Sequence, residues 1–238
     1  MMSYKDKSED ELHNAVNSYG EIESFDFSGK EQLFADLVYA WRKRTKFQRL
    51  TISHCRLPQE IIIPDCRNLA IGNSDLAKVD FSNVLLNDSF FSTCHMIGAN
   101  FKGADIGNCS FMGCGMTDTR FDLVKNMPTA SFELCEGVID AGMDYRGYRF
   151  VAFHNNRNSY MINAGCRWYR RTDAIEHWFD PGYMPSMESV DNMQECIYIT
   201  QSKVLYIDKI ANALGWTHNF VVQSQQNDEG YYFTEDQE

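Results

Sequence analysis

The side chains that could do chemistry gather in one short stretch, MINAGCRWYRRTDAIEHW, residues 161–178. Cys166 and His177 could form a thiol–imidazole pair, in which the ring takes the thiol proton and leaves a nucleophilic thiolate. The competing reading is a buried cysteine on a strand and a histidine packed on a helix. Arg167, Arg170 and Arg171 stand beside a helix start at Thr172, where guanidinium groups and unpaired N–H groups together could hold a phosphate. The competing reading there is an ordinary charged surface. Elsewhere Cys109 and Cys114 are five residues apart, which fits no common zinc spacing, and no CxxC pair occurs. His54 and His95 fall among polar residues, where a side chain is simply solvated. There is no phosphate-binding Gly-rich loop, no GxSxG and no HExxH. No catalytic residue, metal or cofactor is assigned, and an enzyme with its site in this stretch is kept as an alternative.

The elements that must position these residues form a module over 147–220. YRFVAF and SYMINAGCRWY read as two strands joined by the turn residues HNNRN. Ile162, Ala164, Cys166 and Trp168 alternate onto one face. Thr172 is placed as the N-cap of TDAIEHW. QSKVLYIDKIANALGW reads as a longer helix with Ile207, Ile210, Ala211 and Leu214 on its apolar face and Gly215 as its stop. Residues 221–238 are a polar, acidic and loose tail. At the other end, residues 1–47 hold SGKEQLFADLVYAW, a helix with Ser28 and Glu31 as a capping box and Leu33, Phe34, Leu37, Val38 and Trp41 on one face.

The 238 residues are 44% hydrophobic and 23% charged, the profile of a folded chain. No apolar run is long enough to span a membrane. The charged N-terminus lacks the apolar core of a secretory signal, so the eight cysteines are expected to be free thiols in a cytoplasm. The net charge of −11 is unevenly spread. Residues 1–30 carry seven acids against three bases, and residues 124–238 sixteen against nine. Residues 68–123 carry six against three, and residues 31–67 are basic. Direct nucleic-acid binding, which needs a basic surface, is disfavoured.

Between these ends the texture is periodic. Aligned in fives, residues 74–123 form ten units without a gap. Their middle residues are Leu76, Phe81, Leu86, Phe91, Met96, Phe101, Ile106, Phe111, Met116 and Phe121. Two positions earlier stand Ser74, Val79, Val84, Ser89, Cys94, Ala99, Ala104, Cys109, Cys114 and Thr119, all small or medium. The pattern continues more loosely over 48–73, where Ile52, Cys55, Leu57 and Ile61–Ile63 are apolar but out of strict phase. It is lost at VKNMP and returns as ASFEL at 130–134.

The units, ANFKG and ADIGN above all, resemble the pentapeptide-repeat family. The resemblance implies a right-handed, four-sided β-helix over 48–135, with four units per coil and both apolar columns pointing inward. Successive coils would lie ~4.8 Å apart. The fold expected for the whole chain is mainly β: this rod, a cap helix before it and an α+β module after it. Some members of the family imitate duplex DNA and bind type II topoisomerases such as gyrase. The short rod and its weak charge argue against that here. MINAGCRWYRRTDAIEHW also resembles a recurring segment of phage and prophage proteins.

Among the outward columns Leu85, Phe90, Ile97 and Met112 are apolar, and an exposed apolar patch calls for a cover. Residues 147–220 are expected to dock on the side bearing Phe90 and Met112. A protein partner or a second copy are the other covers. Together these readings point to a non-enzymatic protein-binding module of phage type, an inhibitor or adaptor acting on a protein of a bacterial host. Gyrase inhibition by DNA mimicry is kept as an alternative.

Overall fold

The computed structural model describes residues 4–43, 49–155, 159–164, 167–183, 193–216, 223–227 and 230–234. The middle of the chain is a four-sided β-helix of about four turns. One side is a parallel sheet of β1 (Glu21–Glu23), β2 (Leu50–Ser53), β3 (Leu69–Gly72), β4 (Phe90–Ser92), β5 (Ser110–Met112) and β6 (Ser131–Glu133), stacked in that order. The other three sides are ladders of single bridges: Asp26–Arg56–Asp75–His95–Gly115–Glu136, Glu60–Asp80–Asn100–Arg120, and Asp65–Leu85–Asp105–Lys125.

Every unit closes its backbone bonds on the next coil, as where Leu76, Phe81 and Leu86 donate to the carbonyls of His95, Asn100 and Asp105, each at 2.8 Å. The corner after each middle residue is turned in the left-handed region. Asn68, Asn73, Lys78, Asn83, Asp88, Thr93, Gly98, Gly103, Asn108, Gly113, Asp118 and Leu123 all have positive φ. This explains the Asn, Asp and Gly of the fifth column, the residues that enter that region at least cost.

All ten middle residues of 74–123 are buried. Phe81, Phe101 and Phe121 form one stack, with rings 4.9 and 4.8 Å apart. Phe91, Phe111 and Phe132 form the other, at 4.9 and 5.1 Å. The two stacks meet edge to face across the core, the geometry that ring quadrupoles favour.

The irregular flanks have simple causes. Ile52, Leu57, Ile61, Cys66 and Ile71 are all buried, and the only slip in their spacing is one residue missing between Leu57 and Ile61. Ile62 therefore points out while Ile61 and Ile63 point in. After Phe121 one residue is added. The 3-10 turn Met127–Thr129 absorbs it and places Met127 in the core.

The rod also begins earlier than residue 48. Glu21–Glu23 pairs with Thr51–Ser53, and Asp26 with Arg56. Ile22 and Phe27 are the middle residues of two further units, both buried. Helix α2 (Glu31–Arg42) then takes the place of the remaining two sides, and α1 (Glu9–Tyr19) lies against α2 and β1. Leu12, Val16, Phe34, Leu37, Val38 and Trp41 join the rod's core. The capping box belongs to α1, where Ser8 and Glu11 satisfy each other's backbone. The expected box on α2 does not form: Lys30 is its N-cap, and the Ser28 hydroxyl donates to Asp26 instead.

The C-terminal module is a meander, β7 (Val138–Met143), β8 (Arg149–Asn155), β9 (Ser159–Ala164) and β10 (Arg167–Arg170), sheet order β10-β9-β8-β7. It therefore starts at 138 rather than 147, and the second expected strand is two. Helices α3 (Arg171–Phe179) and α4 (Met193–Ala213) cover one face. Their Ala174, Trp178, Val204, Ile207 and Ala211 pack with Phe150, Ala152, Tyr160 and Ile162. Gly215 ends α4 in the left-handed region, but Leu214, expected in the core, is exposed. The expected loose tail contains two antiparallel strands, β11 (Gln223–Asn227) and β12 (Gly230–Thr234).

Candidate interaction surfaces

The module does not dock on the side of the rod. It closes the C-terminal end. Val151 and Phe153, on the sheet face opposite α3 and α4, belong to the rod's core. Phe153 stacks on Phe121 at 4.5 Å, where the next coil's ring would lie, and meets Phe132 edge-on. His154 continues the ladder, accepting from the Asp118 amide and donating to Gly137, both at 2.9 Å. Trp168 lies 5.7 Å from Phe153. It pairs with Asn163 across β9 and β10, so it faces the rod and not the Ile162–Ala164 side expected for it. An open end exposes both core rings and unpaired backbone groups, whereas a side exposes neither, so the end gains more from a cover.

The four outward apolar residues are spread over three sides. Phe90 and Met112 are on the strand side, Leu85 is in the Asp65–Asp105 ladder, and Ile97 follows Met96 on the side of His95. Phe90 stands between Ala70 and Ser110, Met112 between Ser92 and Glu133, so the two are diagonal neighbours on that face with Ser92 and Ser110 at the other corners. Phe90 is half-buried, while Leu85, Ile97 and Met112 are exposed.

Acids around them are ion-paired or hydrogen-bonded locally. Arg56 bridges Asp26 at 3.3 Å and Asp75 at 3.2 Å, and His95 meets Asp75 at 3.3 Å. Asn87 and Asn126 both donate to Asp105 at 2.7 Å. The Arg67 hydrogen bond holds the Asp65 carboxyl below its ordinary value.

The three arginines do not assemble an anion site. Arg171 is buried, and its Nε donates to Asp208 Oδ1 at 2.6 Å. The Tyr160 hydroxyl donates to the same oxygen at 2.7 Å, and Asn212 reaches Oδ2 at 3.2 Å. Arg171 is thus a core ion pair joining α3, α4 and β9. Arg167 reaches the Tyr169 hydroxyl at 3.2 Å, and Arg170 is the exposed N-cap of α3 in place of Thr172. His177 is stacked on Tyr169 at 5.0 Å, and burial lowers its pKa, reinforced by Arg167 and Arg146. Cys166, its proposed thiol partner, lies outside the described residues. Burial pushes the Cys66 and Cys109 thiols up to about 12, which keeps them protonated and unreactive.

Residues 74–113 match the family model "Pentapeptide repeats" in eight copies. The segment is a pentapeptide repeat. Among curated proteins none matches the chain. Among solved structures it is similar to a pentapeptide repeat protein, Rfr23, from the cyanobacterium Cyanothece 51142. The two are 14% identical with a TM-score of 0.31, covering 54% of this chain and 95% of that one. The structure carries the pentapeptide repeat well past the matched residues, from Ile22 to Phe132.

A further surface went unread in the sequence. The outer face of α4 exposes Tyr198, Leu205 and Tyr206, which with Phe179 line a groove of about 260 Å³. The signal was present: α4 carries apolar residues at helical spacing on two faces, and one face suffices for packing.

Proposed function

We propose that this chain is a non-enzymatic protein-binding module of phage or prophage type, which binds and modulates a protein of its bacterial host as an inhibitor or adaptor. The observation that carries this reading is Ile97 and Met112. Each is an apolar side chain held out from a rigid coil, where a polar residue would be the stable choice. The module that was expected to cover Met112 sits at the rod's end, which leaves the side for a partner. The phage origin rests on the resemblance of residues 161–178.

DNA mimicry is less well supported. A mimic needs an acidic surface free to meet its target. The rod's outward acids are few, and Asp26, Asp75, Asp80 and Asp105 are each matched by Arg, His or Asn. Purified protein is therefore expected to leave gyrase supercoiling unaffected. The direct test is affinity capture from host lysate with the wild-type chain and with Ile97→Asp and Met112→Asp. A specific partner that binds the wild type and is lost with either variant supports the reading. Equal capture by all three sinks it.

A further inference from the structure

We propose that the outer face of α4 joins two copies of this chain in an antiparallel helix pair, related by a two-fold axis at Ser202.

The buried residues of α4 are Cys196, Thr200, Val204, Ile207, Asp208 and Ala211. At 100° per residue the direction opposite them passes through residue 202. Within about 60° of it lie Glu195, Tyr198, Ile199, Leu205, Tyr206, Lys209 and Ala213. Of these only Glu195 and Lys209 are charged. A helix that faced solvent alone would carry charge along its length. Here Tyr198 is 67% exposed and Tyr206 50%, with Leu205 at 40% between them. Aromatic residues exposed in a row are the composition of an interface centre.

The order of the residues selects the occupant. In an isologous contact residue i meets residue j, and j meets i. Placing the axis at Ser202 sets Glu195 level with Lys209 of the second copy and Tyr198 level with its Tyr206, while Ile199 on one flank meets that Tyr206 and Leu205 on the other flank meets its Tyr198. Opposite charges meet, and the tyrosines form one apolar layer with the aliphatic residues beside them. Ser202, at the axis, is small and half-buried, with its hydroxyl turned back to the Ile199 carbonyl at 2.7 Å. Nothing at the centre keeps the helices apart. The groove between Phe179 and α4 offers each copy a recess for an incoming tyrosine. A partner of different sequence would have no need of this symmetry.

α4 has 21 residues and is ~31 Å long. One helix pair of this size lies at the small end of stable interfaces, so the dimer should dissociate in the micromolar range.

Sedimentation velocity on the full chain across that range should show a monomer–dimer equilibrium. Tyr206→Glu should weaken association at least tenfold, with circular dichroism and melting unchanged, because Tyr206 is outside the core. Glu195→Lys and Lys209→Glu should each weaken it, and the double variant should recover most of the loss. Ser202→Cys should cross-link to itself under mild oxidation, faster than the native cysteines of the wild type do. A chain that is monomeric throughout, a dimer indifferent to Tyr206→Glu, or a Ser202→Cys variant that cross-links no faster than wild type overturns the proposal. So does a monomer from which Tyr206→Glu removes a captured host protein, since the face would then belong to that partner.

Discussion

The rod and the C-terminal module bury similar kinds of side chain by opposite rules. In the rod each residue's neighbours above and below are the residues one coil away, so a local repeat makes the core. Phe81, Phe101 and Phe121 stack because they are 20 residues apart, and no distant segment has to find them. In the module the core joins β9, α3 and α4, and its centre is an ion pair: Arg171 on Asp208, with Tyr160 and Asn212 filling the carboxylate's remaining sites. A stacked core is additive and tolerant of length. A buried polar junction is all or nothing, because removing one member leaves the others uncompensated.

The largest expected effect breaks the first rule. Phe101→Ala should cost about 3–5 kcal/mol, while Lys102→Ala beside it should cost under about 0.5. Denaturant melts of the two variants compare them directly. Similar losses for both would mean that the stacks do not hold the rod together.

Next is the joint. Phe153 closes the Phe121 stack and is itself buried. Phe153→Ala should cost about 3 kcal/mol, at the low end because the chain end can relax. It should also separate the melting of the module from that of the rod. Calorimetry that still shows one transition would place the coupling elsewhere.

Asp208→Ala tests the module's rule. Both partners are roughly a tenth exposed, which should reduce the cost from that of a fully buried pair to about 2–3 kcal/mol. Hydrogen exchange should accelerate in α3, α4 and β9 and stay unchanged in β3–β5. Equal acceleration in both would deny that the two cores are distinct.

The smallest effect separates the regions by pH. Burial lowers the pKa of His154 and of His177, both in the module, below the ordinary 6.5. The unfolded chain then binds more protons than the folded one, so stability held above pH 6.5 is lost as pH falls toward the depressed values. The rod's shifted acids are Asp26, Asp65 and Asp75, all below the ordinary 3.8. Their contribution is complete above that value and is lost only as pH falls through the depressed ones. Exchange protection in the module should therefore weaken in mild acid, while β3–β5 hold to below pH 3.8. Rod and module softening together at mild acid would contradict this.

How far the sequence could be read follows the same division. The inward columns, the paired phenylalanine stacks and the outward Leu85, Ile97 and Met112 were legible from spacing alone, since period and position determine them. The unit FDFSG at 25–29 was missed, although it matches VDFSN at 79–83 closely. A 12-residue helix follows it where two sides of the coil should be, so the phase could not be carried across. The slips at Leu57–Ile61 and at Met127 hid true repeats behind one residue lost and one gained. The arginines misled because Arg171 looks like its neighbours in sequence. Its partner, Asp208, is 37 residues away on another helix.

By itself the sequence determined that a repeat of five exists, which residues it turns inward and which residue types turn its corners, because these depend on contacts at a constant separation. Only the tertiary structure decided that the module closes the rod's end instead of covering its side, that Trp168 faces the rod, and that Arg171 is a core residue and not a ligand site. Those outcomes depend on which surfaces gain most when they meet. No period in the chain encodes that difference between separated segments.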